Sequence, residues 1–443
     1  MFKKLGQLYF GPRLFWTLAA VIVLFVSAYF APVLLPVARV ALALVIALAV
    51  ADLLLLFGSD GVSASRVTPR RLSNGDDNRI SISLENLYRF ASRLSIVDEL
   101  PKQFQIRDNR IDLTLPSGHS TTARYTVRPT MRGSFEFGAV NVFAESPIGF
   151  VQRRYRFDAS TEVPVYPSYI QMRKYAFMAI SDRLTELGVK QVRRVGHTME
   201  FDQIRPYVMG DDYRTVNWKA TSRSRRLMVN QYQDERSQQV YCLVDMGRVM
   251  KMPFEGLTLL DYAINASLAL SNVSVLREDK AGLVTFSDMV HTVLPASRKG
   301  GQMARIMELL YRQETDFKES SYERLYASIA RNVKTRSLLL LFTNFETRTA
   351  LRRQLTYLRS LAARHLLVVI LFENTELEKR LKGIPGTLEE VYIKTISEQF
   401  AVEKREIIAE LKRYGIHAVL TPPEELTVNT INAYLEMKAR RLL

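Results

Sequence analysis

Two long apolar runs open the chain, and shorter apolar stretches, alternating at first and continuous later, fill the rest. From Leu14 to Ala31 there is no charge, and a second run extends from Pro32 to Phe57 with only Arg39 near its start and Asp52 near its end. A helix needs roughly 20 apolar residues to cross the hydrocarbon core of a bilayer, and each run is about that long. The turn Ala31-Pro32-Val33-Leu34-Leu35-Pro36 is short and carries prolines where the backbone must leave helical geometry. This predicts a transmembrane helical hairpin over residues 1–60. Bulky Tyr29 and Phe30 stand where a cleavage site needs small residues, so the first run reads as an anchor and not as a removed leader. Lys3, Lys4 and Arg13 precede the hairpin, and Arg66, Arg70 and Arg71 follow it. Positive charge at both flanks predicts that both termini and the soluble part are cytoplasmic.

Residues 61–166 alternate with a period of two, as in Arg79–Leu84 and Thr122–Val127, and turn signals at Ser73–Asp76, Pro116–Gly118 and Arg132–Ser134 separate the stretches. A β-rich, sandwich-like domain follows from that spacing. Residues 167–236 read as a connecting segment. It has a predicted helix around Met172–Leu187, the run Arg193–His197, and then a dense polar cluster from Arg205 to Lys219. From 237 to 443 apolar strands alternate with helices. The predicted strands are Val240–Val244, Gly282–Phe286 with a hairpin partner Val290–Leu294, Ser337–Phe342, Leu366–Phe372 and Ile416–Leu420. Between and after them fall helices at Leu257–Leu276, Gly301–Tyr311, Tyr322–Val333, Ala350–Ala363 and near Glu398–Tyr414. Continuous Leu/Val strands covered on both faces predict a doubly wound, mostly parallel α/β domain.

Composition sharpens this in three ways. With 47% hydrophobic residues, 24% charged residues and one cysteine in 443, disorder and a disulfide scaffold are excluded. A mean hydropathy of −0.04 is the average of an apolar hairpin and a polar body. The formal charge of +16 raises nucleic acid or anionic lipid as a partner. Basic residues are scattered and interspersed with acidic ones, which favours a surface held near anionic lipid over a nucleic-acid stripe. Cys242 lies within an apolar strand and reads as a reduced core residue. No Gly-x-x-x-x-Gly-Lys-Ser/Thr loop, His-Glu-x-x-His, Cys-x-x-Cys or Gly-x-Ser-x-Gly is present, and the five histidines are far apart.

Open α/β sheets bind ligands at the carboxyl ends of their strands. Asp245 ends the first α/β strand, Thr343-Asn344 ends another, and Thr315-Asp316 lies in a loop between them. This set resembles the adhesion-type site of von Willebrand factor A domains. Those domains hold Mg²⁺ through Asp-x-Ser-x-Ser, a distant Thr and a distant Asp, and leave one position for a partner's carboxylate. Here the serine positions are Gly247 and Val249, and the distant aspartate is Asn344. Mg²⁺ demands near-octahedral oxygen ligation. Asp245 and Thr315 remain as the candidate ligands, so the resemblance implies an inherited fold with a decayed site and at most weak Mg²⁺ binding.

The segment Arg205-x-Tyr207-x-x-Gly210-Asp211-x-x-Arg214-x-Val216-x-Trp218-Lys219-x-Thr221-Ser222-Arg223 resembles the signature of the bacterial membrane proteins of domain-of-unknown-function family fifty-eight. The pattern continues through Leu227, Val229 and Glu235, with Arg132–Gly138 and Ser146–Phe150 similar to the family's upstream β-region motif. The resemblance implies two spans in a bacterial inner membrane, a von Willebrand A-like domain, and a MoxR-type AAA+ ATPase as protein partner. It points to a non-catalytic adaptor or scaffold, with no nucleic-acid partner and no cofactor. The alternatives are a metal-dependent enzyme using Asp245, Asp211 or Asp212, and a basic nucleic-acid-binding membrane protein. Within the motif, ion pairs of Asp211 and Asp212 with Arg205 and Arg214, and packing of Trp218 and Tyr207 on the sheet, predict a structural clasp. Exposed Arg, Trp and Tyr would instead mark a partner- or phosphate-binding surface.

Overall fold

The computed structural model describes residues 6–106, 108–180, 199–234, 237–315, 317–374 and 388–440. The chain divides into two compact units, Met1–Tyr166 and Pro167–Leu443.

The first unit begins with a short strand, β1 (Leu8–Phe10), which three residues of alternation are too few to announce in the sequence. Helix α1 (Pro12–Phe30) and helix α2 (Leu35–Phe57) follow, joined by one 3-10 turn over Pro32–Leu34. Both helices are long and apolar enough to cross a membrane. Ten strands come next: β2 (Val62–Val67), β3 (Leu72–Ser73), β4 (Asn78–Asn86), β5 (Ser92–Asp98), β6 (Arg110–Leu115), β7 (Ser120–Val127), β8 (Gly133–Phe137), β9 (Val140–Glu145), β10 (Val151–Phe157) and β11 (Thr161–Tyr166). They form a five-stranded sheet in the order β1-β10-β9-β5-β6 and two three-stranded sheets, β2-β4-β7 and β3-β11-β8. Period-two alternation puts Ile82 and Leu84 of β4 into one core with Leu94 and Ile96 of β5 and Val140 and Val142 of β9.

That core also takes in Leu14, Val21, Val45 and Leu56 of the two helices. The hairpin is therefore built into the β-domain and is not a flexible leash. Asp52, the one acidic residue of the second run, is fully buried. One carboxylate oxygen accepts the amides of Phe150 and Val151, each at 2.8 Å, and the other accepts the Ser146 hydroxyl. One helical turn on, the Leu56 carbonyl accepts Arg153 Nη1 at 2.8 Å and the Tyr88 hydroxyl at 2.9 Å. Arg153 also binds the Ser59 carbonyl at 2.7 Å and Asp60 at 2.8 Å, with Phe57 and Tyr155 rings against its guanidinium. The last-turn carbonyls of a helix have no partner within the helix, and a guanidinium there also meets the negative end of the dipole. Before the hairpin, β1 pairs antiparallel with β10, and the Gly11 amide donates to the Phe150 carbonyl at 2.9 Å. Arg66, read from sequence as a flanking charge, is an internal residue paired with Asp98 and lying over the Phe137 ring.

The second unit begins with α3 (Tyr169–Ile180); the rest of the helix expected to Leu187, and the run Arg193–His197, lie outside the described residues. A two-stranded ribbon, β12 (Met199–Pro206) and β13 (Met228–Asp234), carries α4 (Trp218–Ser224) in its connection; Glu235 lies outside the described residues. The α/β part contains β14 (Gln239–Asp245), the two-residue strands β15 (Pro253–Phe254) and β16 (Leu257–Thr258), α5 (Leu259–Leu276), β17 (Lys280–Phe286), β18 (Val290–Ser297), α6 (Gln302–Tyr311), α7 (Tyr322–Asn332), β19 (Leu338–Phe342), α8 (Arg348–Arg364), β20 (Leu366–Phe372), α9 (Leu388–Arg413), β21 (His417–Thr421) and α10 (Leu426–Ala439). The sheet order is β18-β17-β14-β19-β20-β21, all parallel except the edge strand β18.

Alternate residues of β14 feed the two faces. Val240, Cys242 and Val244 pack with α5, α6 and α10, while Tyr241 and Leu243 pack with α7, α8 and α9. Helix α5 is itself long and apolar enough to span a bilayer, but 78% of its most apolar window is buried inside the domain. Its apolarity is that of a core helix covering a sheet. Asp279 holds the C-terminal helix in place: it accepts Lys438 Nζ at 2.8 Å, the Gln238 amide at 3.0 Å and the Tyr434 hydroxyl.

Replacing Asp52 by Ala leaves one hydroxyl and two amides buried without an acceptor. A single buried donor orphaned in this way costs about 1–3 kcal/mol, so we expect a loss of about 3 kcal/mol in the first unit. Thermal denaturation of the detergent-solubilised chain checks this, with a midpoint lowered by about 6–12 °C expected. An unchanged midpoint would show that the carboxylate does not join hairpin to β-domain.

Candidate functional site

In a sheet ordered this way, the connections leaving the carboxyl ends of the two central strands run to opposite sides and leave a crevice at the point where the winding reverses. Here those strands are β14 and β19, and Asp245 and Thr343 stand at their ends. Asp245 is fully buried. Its Oδ1 accepts the Gly247 amide at 2.8 Å and the Ser320 hydroxyl. Its Oδ2 accepts the Thr343 hydroxyl at 2.7 Å and lies 3.2 Å from the Tyr322 hydroxyl, which is in turn 2.7 Å from Thr343 Oγ1. Burial raises the Asp245 carboxyl above the usual aspartate range, and the four donors pull against that shift.

The three loops proposed from sequence do converge, but with different contacts. Thr315 does not bond Asp245: its hydroxyl donates to the Met246 carbonyl at 2.6 Å, and Ser320 takes the place beside the carboxylate. Asp316 lies outside the described residues. Gly247 is required for close packing, because a Cβ there would collide with Ser320 Oγ. Val249 packs against the core below the loop. Asn344 accepts Lys404 Nζ from α9, and the same ammonium donates to the Phe345 carbonyl at 2.7 Å. Burial pushes the Lys404 ammonium down to about 8, with Glu346 opposing.

A Mg²⁺ ion does not fit this donor set. Both carboxylate oxygens are taken by hydrogen-bond donors, Gly247 and Val249 offer no side-chain oxygen, and an ammonium already lies on Asn344. Among the described residues, no three His, Cys, Asp or Glu side chains gather in a way that would hold a metal. Cys242 is buried, and its thiol is pushed up to about 12, away from nucleophile chemistry. Beside the Asp245 network lies a cavity of about 310 Å³ bounded by Phe254, Phe372, Phe400, Asn344 and Lys404.

Sequence reasoning missed Ser320, Tyr322 and Lys404. Ser320 and Tyr322 flank Ser321, the N-cap of α7, so the Ser-Ser pair reads locally as capping chemistry. Lys404 is one lysine on a long charged helix, with nothing local to mark it.

The motif residues form a separate arm. Arg205 grips Asp211 through two bonds of 2.8 and 2.7 Å, and Asp211 also accepts the Val208 amide at 2.9 Å. Gly210 closes this tip at φ 111°, a conformation suited to glycine. Asp212 caps the Arg214 amide at 3.0 Å rather than pairing with its guanidinium, and Asn217 caps α4 through the Ala220 amide at 3.0 Å. The expected packing of Trp218 and Tyr207 on the sheet is not observed. Trp218 and Tyr213 are each 72% exposed, Met209 is 97% exposed and Tyr207 is exposed as well. A tip closed by a local ion pair needs no sheet beneath it. The motif builds a rigid arm and leaves its aromatic residues in solvent.

Strand order, the antiparallel edge and the carboxyl-edge crevice define the second unit as a von Willebrand A-like α/β domain. Residues 203–385 match the family model described as "Protein of unknown function DUF58", the family that the central motif resembles. The uncharacterized protein YeaD of Bacillus subtilis (strain 168) is 24% identical over 204 residues, which is 44% of this chain and 50% of YeaD, so this chain spans about half of that relative. Among solved structures, the conserved hypothetical protein BatB of Bacteroides thetaiotaomicron is similar at 12% identity and a TM-score of 0.32, covering 46% of this chain and all of BatB. The SpRpn10 VWA domain is similar at 13% identity and a TM-score of 0.26, covering 44% of this chain and 95% of that domain.

Two outcomes test the site. Adding MgCl₂ is expected to leave the thermal midpoint unchanged, since an ion stabilises only what it binds. For the carboxyl, a folded value raised above the ordinary 3.8 means that the folded state holds this proton more tightly. Its contribution is complete below the ordinary value and is lost as pH rises through the folded value. Denaturant titrations are therefore expected to show the stability of wild type relative to Asp245→Asn falling as pH is raised from about 4.

Proposed function

We propose that this protein is a non-catalytic, membrane-anchored adaptor that presents a cytoplasmic von Willebrand A-like domain to a MoxR-type AAA+ ATPase or its client. The hairpin anchors the chain in a bacterial inner membrane, with the positive flanks and both termini on the cytoplasmic side. The observation that carries the reading is Lys404 on Asn344, beside an Asp245 whose oxygens are already hydrogen-bonded. Adhesion-type domains offer a metal's positive charge to a partner's carboxylate at this edge. Here a fixed ammonium, donated by α9, supplies positive charge at the same edge of the sheet. What supports recognition over chemistry is that, among the described residues of the site, no activated nucleophile stands with a base poised against it.

The test is co-purification of the detergent-solubilised full chain with a co-expressed MoxR-type ATPase from the same cell. Retention of the ATPase by wild type is expected, with binding at least about tenfold weaker for Lys404→Glu, since reversing a partly buried interfacial charge costs several kcal/mol. Failure of wild type to retain the ATPase, together with stoichiometric bound metal and hydrolytic activity, would overturn the adaptor reading in favour of an enzyme.

A further inference from the structure

The arm of β12, α4 and β13 has a composition that the carboxyl-edge site does not use. Between residues 212 and 227, Arg214, Lys219, Arg223, Arg225 and Arg226 face a single acidic residue, Asp212. Each of these basic residues is exposed, and among the described residues none of the four arginines nor Lys219 is in an ion pair. The same arm exposes Val208 at 60%, Met209 at 97%, Tyr213 at 72% and Trp218 at 72%.

These apolar side chains are held out by the backbone. The Tyr207 amide donates to the Leu227 carbonyl at 2.8 Å, the Asn217 amide to the Met228 carbonyl at 2.8 Å, and the Met228 amide to Thr221 Oγ1 at 3.0 Å. With the Arg205–Asp211 pair closing the tip, the arm is pre-ordered, so little conformational entropy is lost when it meets a surface.

We propose that this arm lies on an anionic lipid bilayer, with Met209, Tyr213 and Trp218 at the headgroup level and Lys219, Arg223 and Arg226 against lipid phosphates. Aromatic residues partition to the membrane interface, and each basic residue near an anionic surface contributes about 1 kcal/mol. A protruding tip with Met209 almost wholly exposed matches a deformable surface better than a protein pocket matched to one side chain. The inference rests on the membrane-anchored reading: a hairpin in the same chain keeps the arm near lipid, so that a weak contact is populated.

The two tryptophans, Trp16 in α1 and Trp218 in the arm, separate the inference from the reading beneath it. The full chain is reconstituted into vesicles of phosphatidylcholine alone or mixed with phosphatidylglycerol, each with brominated acyl chains as quencher. In Trp16→Phe, Trp218 emission is expected to shift to the blue and be quenched in the phosphatidylglycerol vesicles and far less in neutral ones. Adding salt, or substituting Lys219→Glu, Arg223→Glu and Arg226→Glu together, is expected to weaken the contact, the triple change by about a hundredfold. In Trp218→Phe, Trp16 is expected to be quenched in both vesicles. Quenched Trp16 with unquenched Trp218 overturns the arm contact and leaves the anchor standing, and unquenched Trp16 overturns the anchor. Quenching of Trp218 that is the same in both lipids and insensitive to the charge reversal also overturns the proposal. So does protection of Trp218 only on adding an acidic protein, which would make the arm a protein-docking site.

Discussion

A carboxylate taken out of water has to be met by donors, and removing it then strands those donors. Three of the buried aspartates show how this constraint joins distant parts of the chain. Asp52 draws Ser146 and the amides of Phe150 and Val151 onto a helix of the hairpin. Asp245 draws Ser320, Thr343 and the Gly247 amide into one place. Asp279 draws Tyr434 and Lys438 of the last helix to the entrance of the first α/β strand. In each case the acceptor and most of its donors are tens of residues apart. The apolar cores provide most of the burial, and these carboxylates specify which surfaces of the elements meet.

The elements were legible in the sequence because periodicity is local. The strand Leu366–Phe372 and the helices opening at Tyr322 and near Leu259 follow directly from runs and spacing. Helix α9 begins at Leu388 rather than near Glu398, although Leu388, Val391, Tyr392 and Ile396 already stand at helical spacing in its first turns. The site was half legible. Asp245, Gly247, Thr343 and Asn344 lie at predictable strand ends, whereas the choice of Ser320 over Thr315 is made within the ten-residue connection from α6 to α7, which has no periodicity to read. Asp52 could be read only as a flaw in an apolar run, since its partners lie in and just after the turn between β9 and β10, nearly one hundred positions away.

The arm shows the opposite failure. Trp218 and Tyr207 were expected to pack on the sheet, and both are exposed. The Arg205–Asp211 ion pair was read correctly as local, whereas Asp212 caps an amide in place of the expected pair with Arg214, and a locally closed loop does not need aromatic packing to stay ordered. The Arg-Gly-Asp part of the motif makes the shape, while the aromatic and basic part is displayed.

Both ends of the hairpin are tied to one strand, β10, through β1 on one side and through Asp52 and Arg153 on the other. Asp52 and Leu56 are buried against the β-domain, so the last turns of α2 belong to that domain's own core rather than to the uncovered part of the helix. Two attachment points leave no swivel between hairpin and sheet, and any lean of the helices turns the β-domain with them, as a keel fixes the trim of a hull.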